Sequence, residues 1–207
     1  MSVIASTPVP APAPAPAAAA LPLYRLSVAQ YQAMIKAGIL TDDDPVELLD
    51  GWLVLTMPKN PPHRVCTRKV RRALEAILPA AWYADSQEPI TLPDSQPEPD
   101  VMVARAALGQ DTSRHPGPPD VALVVEVADT TLDPDRGMKK RLYAAAAIPP
   151  YWILNLVDNV LEVYTDPSGP AAQPDYAASR VLGPAEEVPV VLDGREVGRI
   201  PVRELLP

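Results

Sequence analysis

Three acidic residues stand in positions where apolar side chains would be expected. Glu47 lies between Val46 and Leu48, Asp100 precedes Val101-Met102-Val103, and Glu126 is enclosed by Leu123-Val124-Val125 and Val127. A carboxylate taken out of water needs a cationic partner, a metal ion or a raised pKa. Two or three such groups converging on one point would form a hard-oxygen site suited to Mg2+ or Mn2+. Lys139 supplies a cation for the same place. Asp135, Lys139 and Tyr143 recur every four residues and share one helix face, beside an apolar stripe of Met138, Leu142 and Ala145. The lysine stem can cross apolar surface and deliver its ammonium into a cleft, whereas Lys140 points further outward. For each carboxylate alone the competing reading is a solvated strand face, which alternation permits for Glu47 and Glu126.

The surrounding sequence specifies the elements that would position these groups. Ser27 is placed to cap a short helix with Val28, Tyr31, Ile35 and Leu40 near one face, and Gly38 to end it. From Val46 to Met57 two apolar runs meet at Asp50-Gly51, the dipeptide favoured by tight hairpins. Asn60 and Pro61 open a helix running to about Leu78 as cap and first-turn proline. Its apolar face carries Cys66, Val70, Ala73, Leu74 and Ile77, with His63 at the edge; Arg64, Arg68, Arg71 and Arg72 gather opposite. That basic face reads either as a set of phosphate contacts or as a solvated helix surface.

Strand patterns follow at Trp82 to Ala84, Ile90 to Leu92, Val101 to Ala104 and Val121 to Ala128, the last apolar enough for a central strand. Asp133 and Pro134 predict the start of a helix that reaches about Ala147 before Pro149-Pro150 stops it. A second hairpin is expected from Tyr151 to Thr165 with its turn at Asp158-Asn159. Weaker strands lie at Arg180 to Leu182 and Val188 to Leu192, and a helical turn follows Pro201. The order describes a mixed α/β fold.

Composition narrows the function classes. The chain of 207 residues has a formal charge of −8, which argues against broad charge-driven adhesion to nucleic acid but leaves room for a local basic groove. The single cysteine, Cys66, cannot form an internal disulfide, and no Cys/His spacing suits structural zinc, so a reducing, cytoplasmic setting is expected. Residues 1–23 contain six prolines alternating with alanine and no charge; they read as an extended tail rather than an export signal, leaving 24–207 as the domain. No uninterrupted apolar run is long enough for a membrane span. Serine or cysteine hydrolase chemistry lacks support, since Cys66 falls on an apolar helix face and there is no Gly-x-Ser-x-Gly elbow. His115 sits in a Pro/Gly-rich loop and is expected to face solvent.

Several of these residues recur in a known order. Val46-Glu47-Leu48-Leu49-Asp50-Gly51, Pro62-His63, Pro99-Asp100-Val101, Val125-Glu126-Val127-Ala128-Asp129, Asp135-Arg136-Gly137 with Lys139 and Tyr143, and Ile148-Pro149 before Tyr151-Trp152 together resemble the Uma-two family, restriction-endonuclease relatives within the PD-(D/E)xK nuclease superfamily. The resemblance spans about residues 24–165. It implies a restriction-endonuclease-like core, a mixed central β-sheet flanked by helices, and metal-dependent hydrolysis of DNA phosphodiester bonds without a covalent intermediate. Asp100 matches the Asp of the PD element and Glu126 the acidic residue of the (D/E)xK element. Position 128, where that element usually has lysine, is Ala; Lys139 matches the lysine the family carries on the following helix. Glu47 matches an upstream acid. Implied, then, are a catalytic set of Glu47, Asp100, Glu126 and Lys139, and Mg2+ or Mn2+ held by Asp100, Glu126 and the Val127 carbonyl. His63 matches a family histidine whose role is open; with a nuclease expected, the basic α-helical face of Arg64, Arg68, Arg71 and Arg72, together with His63 and Tyr143, is expected to contact DNA, and a homodimer is an arrangement common in the superfamily. Trp52 departs from the Glu that many members carry after the Asp-Gly turn. Two rival readings are a degenerate fold kept as a DNA-binding or protein-interaction module, and a metal-dependent hydrolase of another phosphate ester.

Overall fold

The computed structural model describes residues 23–41, 43–110, 113–148 and 150–207; the Ala/Pro-rich tail, apart from Leu23, and Pro149 lie outside them. Helix α1 (Val28–Lys36) begins at a capping box in which Ser27 and Gln30 satisfy each other's backbone N–H groups. Only Tyr31 of this helix is buried, and Ile35, expected on the apolar face, is exposed. Strands β1 (Val46–Leu49) and β2 (Trp52–Leu55) form the expected hairpin. Both turn residues, Asp50 and Gly51, have positive φ, as a type I′ turn requires. Gly51 is needed for space as well: a Cβ there would come within 2.7 Å of the Arg25 Cβ.

Helix α2 (Pro61–Glu75) starts where Asn60 accepts from the His63 N–H. The main sheet has six strands in the order β3 (Trp82–Asp85), β4 (Val101–Arg105), β5 (Val121–Ala128), β6 (Tyr151–Asn155), β7 (Val160–Pro167) and β8 (Tyr176–Leu182). Strands β5 and β6 run parallel and every other neighbouring pair antiparallel. All eight residues of β5 are buried, as its apolar run predicts for a strand covered on both faces. The second hairpin expected from Tyr151 to Thr165 is β6 and β7; beyond the sheet, β9 (Glu187–Leu192) and β10 (Arg195–Pro201) form another, followed by α5 (Val202–Leu205).

Alternation along the strands sorts the core into two layers. On one side Val103, Leu123, Val125 and Val127 pack with Cys66, Val70 and Leu74 of α2 and with Val188, Ile200 and Leu205. On the other, Met102, Val124, Ala128, Tyr151 and Ile153 pack with Tyr143 and Ala144. This is the expected mixed α/β architecture, a central mixed sheet flanked by helices.

Three local expectations are corrected. Ile90 to Leu92 is not a strand: Ile90 and Leu92 are buried, but their N–H groups bond to Pro97 and Ser95 of the same loop, where prolines at 93, 97 and 99 cannot donate to a ladder. The helix expected to start at Pro134 with Asp133 as its cap begins two residues earlier and is composite: α3 (Leu132–Pro134), a π turn (Asp135–Lys139) and α4 (Lys140–Ala145). Strand β10 was not expected, because its run is polar and broken by a bulge between Glu196 and Gly198.

Candidate active site

Strand register brings two of the acids together before any side chain is considered. The Val101↔Val125 pairing of β4 and β5, carried one residue further, sets Asp100 beside Glu126. Glu126 shares its strand face with Val124 and Ala128, and therefore points into the layer occupied by α4. Lys139 reaches it from the π turn, its Nζ 3.1 Å from the Glu126 Oε1 and 3.3 Å from the Glu47 Oε1. The Tyr143 hydroxyl donates to the same Glu126 oxygen at 3.0 Å.

The π turn matters to this convergence. A four-residue step in an α-helix overshoots a full turn by about 40°, so Asp135, Lys139 and Tyr143 on a regular helix would drift around it. The turn closes through an i→i−5 bond from the Lys140 N–H to the Asp135 carbonyl, and holding more than four residues it offsets that drift. Arg136 anchors the turn to β7 through two bonds to the buried Glu162, at 3.0 and 2.6 Å.

Asp100 is held from the other side. Its Oδ2 accepts from the Val127 N–H at 2.8 Å and lies 3.1 Å from the His63 Nε2; the Lys59 Nζ stands 3.7 Å from Oδ1. Asn60 fixes the start of α2, accepting from the His63 N–H while its amide bonds to Asp129, just past the end of β5. One pocket of about 160 Å³ is lined by Glu47, Glu98, Asp100, Glu126 and Asp135 together with Lys59, His63 and Lys139. A larger cleft of about 960 Å³ lies elsewhere, but there Lys140 is paired with Asp175 and Arg136 with Glu162, and no buried carboxylates converge.

Five carboxylates against two lysines leave the pocket with excess negative charge, and the proton affinities follow. Burial pushes Glu126 well above the usual carboxylate range; Lys139 opposes this, while Asp135, Asp100 and Glu47 add to it. Burial also lifts Asp135 to about 6, against Lys139 and a hydrogen bond from Thr131. Glu98 is raised by burial and by Glu47. Asp100 goes the other way: burial favours its acid form, but His63, the Val127 N–H and Lys59 together hold it below the usual value. For Lys139 burial favours the neutral amine, yet Glu126, Glu47, Asp135 and Asp100 outweigh it and keep the ammonium.

The Asp135 shift has a measurable consequence. With a folded pKa near 6 and an unfolded value near 3.9, the native state binds more protons than the unfolded chain between those limits, so stability falls as pH rises from about 4 to about 6. Glu126 and Glu98, also raised, add to the same slope, and Asp135→Asn is expected to remove the Asp135 share of it in urea-unfolding curves measured across this range. An unchanged slope would locate the titration elsewhere.

Of the residues singled out in the sequence, Glu47, Asp100, Glu126, Lys139 and His63 line this one pocket. Arg64, Arg68, Arg71 and Arg72 line an adjoining groove. The expected DNA contact of Tyr143 is corrected: it is fully buried and its hydroxyl is committed to Glu126, so it positions that carboxylate. Glu98, Asp135 and Lys59 were not assigned to the site from sequence. Glu98, between Pro97 and Pro99, donates its backbone N–H to Glu47, a contact that pattern reading of a proline-rich loop does not reveal.

The donor chemistry suits a hard divalent cation, being all oxygen with uncompensated charge. Among the described residues no three His, Cys, Asp or Glu side chains surround a common point, and the Lys139 ammonium stands between Glu47 and Glu126. That fits an ion taking one or two carboxylates and completing its shell with water and phosphate, as Mg2+ does.

No curated protein matches the chain. Among solved structures, it is similar to a crystal structure described as a "putative nuclease belonging to DUF820" from Anabaena variabilis, with a TM-score of 0.63 and 13% identity over 87% of this chain and 97% of that one. At that identity the likeness concerns the fold. A family model covers residues 28–201, from the first helix through the last strand and across every residue of the acid pocket; the chain thus belongs to the Uma2 family, described as "Putative restriction endonuclease".

Proposed function

We propose that the protein is a metal-dependent endonuclease that hydrolyses DNA phosphodiester bonds. The observation that carries this reading is the Lys139 ammonium held at 3.1 Å from Glu126, in a pocket shared with Asp100 and Glu47. Membership in a family described as restriction endonucleases supports the substrate class.

Asp100 and Glu126, with the Val127 carbonyl, would hold Mg2+ or Mn2+. A bound ion of this kind polarises the phosphoryl oxygens and makes a coordinated water more acidic. The chain's own groups divide the remaining work. Lys139 stays protonated, so it acts as a fixed positive charge beside the phosphate and not as a base. Glu47 and Tyr143 keep its direction and that of Glu126. His63 orients Asp100 from the α2 side. Water adds to phosphorus as the bond to the leaving oxygen breaks, giving a phosphate monoester and a free hydroxyl.

Cutting both strands of a duplex requires two such pockets, which a homodimer would supply. The free thiol of Cys66, buried in the core, accords with a reducing compartment. Among the described residues no helix is long and apolar enough to cross a membrane.

The test is incubation of purified protein with supercoiled plasmid, single strands and branched DNA in Mg2+ or Mn2+. Nicking that requires the divalent ion and stops in EDTA is expected. Binding of all three without any cleavage would instead favour the degenerate DNA-binding module, and turnover confined to small phosphate esters would favour the other hydrolase.

A further inference from the structure

Beside the acid pocket runs a second cavity of about 330 Å³, walled by Lys59, His63 and the four arginines of α2 on one side and by Ser86 and Gln87 on the other. Lys59 and His63 line both cavities, so the two adjoin across these side chains. We propose that this groove is a track for one phosphodiester strand of DNA, which leads the backbone along α2 and past His63 into the acid pocket. The direction of the track rests on the nuclease reading above; its charge does not.

The arrangement of cations supports this. In a protein of charge −8, half of the 18 Lys and Arg side chains are ion-paired among the described residues, including Arg25 with Asp50, Arg105 with Asp193, Arg136 with Glu162, Lys140 with Asp175 and Arg199 with Glu196; what sets α2 apart is that its unpaired arginines line one groove. On α2 only Arg71 has carboxylate partners, Glu75 and Asp85. Arg64, Arg68 and Arg72 are exposed and have no ion-pair partner among the described residues. They follow one another at four-residue intervals, where like charges disfavour a helix, so helix stability does not call for them. From Arg64 to Arg72 the stripe extends about 12 Å at the helical rise, long enough for successive phosphates.

The neighbouring pocket gives the stripe a task. An anionic backbone is repelled by a cluster of carboxylates, and a positive track at its entrance raises the local concentration of the polyanion. Guanidinium contacts to phosphate fix register without reading sequence, so this site confers affinity and not base preference.

The experiment is a titration of full-length protein against a labelled short DNA duplex in EDTA, repeated over a range of salt concentrations. Binding is compared with that of an Arg64→Gln, Arg68→Gln, Arg72→Gln triple variant and of a control triple, Arg141→Gln, Arg195→Gln, Arg203→Gln, which neutralises exposed arginines outside the groove. The groove variant is expected to lower the slope of log affinity against log salt by about 2 to 3, and the control by less than about 1. An unchanged slope in the groove variant overturns the proposal, as does an equal loss in the control. A lysine version of the groove triple keeps the slope if charge is what acts; failure to keep it overturns the electrostatic account. Hydrolysis of bis(p-nitrophenyl) phosphate with Mn2+, which is too small to use the groove, reports on the acid pocket alone. Its absence together with a normal slope change would sink the nuclease reading and leave the track standing.

Discussion

Asp100→Asn and Glu126→Gln are each expected to lower plasmid nicking in Mg2+ by about 1,000-fold or more, equivalent to roughly 4 kcal/mol of lost transition-state stabilisation. Each removes a full negative charge from the pair that would hold the ion. Their effects on stability should separate. Asp100 is more acidic in the folded protein than in the unfolded chain, so its ionised form stabilises the fold, and Asp100→Asn is expected to lower the unfolding midpoint. Glu126 has the opposite shift because burial disfavours its charge, and Glu47 still pairs with Lys139 when Glu126 is neutral. Glu126→Gln should therefore be as stable as the wild type or more so while losing activity. Single-turnover nicking and thermal unfolding of the two variants decide the matter. Nicking that survives in both would come from another site or a contaminant.

The second large effect concerns Lys139. Lys139→Met fills a similar volume but leaves two buried carboxylates without their ammonium, and breaking a buried pair by removing one partner costs on the order of 3–5 kcal/mol. For a chain of this size that corresponds to a fall of roughly 6–20 °C in Tm. The loss should shrink as pH is lowered: Glu126, with its raised folded pKa, takes up a proton in the native state first, so the native state binds more protons than the unfolded one and stability increases toward acid. Adding Glu126→Gln to Lys139→Met should recover a large part of the loss, giving a coupling well above 1 kcal/mol in the double-mutant cycle. Additive effects would mean that the ammonium does not compensate Glu126.

The parts of this fold that were legible in the sequence are those where local chemistry and burial agree. The Asp50-Gly51 turn, the Asn60-Pro61 helix start and the apolar β5 each have a single good structural solution, and each formed as read. Alternation alone permitted a solvated face for Glu126; the structure buries it against Lys139 and Tyr143. What escaped depended on partners distant in sequence. Asp193-Gly194 is the same dipeptide as Asp50-Gly51, and both of its residues have positive φ, but the polar, bulged β10 gave no alternating pattern to flank it. The π turn has no periodic signature, because its register is fixed by Arg136 binding Glu162 twenty-six residues away. Glu98 and Lys59 join the pocket through loops, whose course neither periodicity nor capping specifies. Tyr143 was placed on the correct helix face but at the wrong depth, since the spacing of residues on a helix sets direction and not distance from solvent.

The hairpin of β1 and β2 forms a sheet of its own, tied to the loop before β4 by a Leu48–Gln96 bridge, by the Gly51 N–H bonded to the Asp94 carbonyl, and by the Asp50 and Glu98 N–H groups bonded to Ser95 and Glu47. Glu47 therefore belongs to a different body from Asp100 and Glu126, and Lys139 acts as the latch between them. A small sheet set apart from the main one can open at lower free energy than the whole molecule. Swinging it away would uncover Asp100 and Glu126 while leaving their relative register on β4 and β5 untouched. The register of Asp100 and Glu126 is set within the large sheet, whereas the Glu47 wall of the pocket is held by Lys139 and the loop before β4, so a lesion in the latch loosens that wall as well as lowering stability.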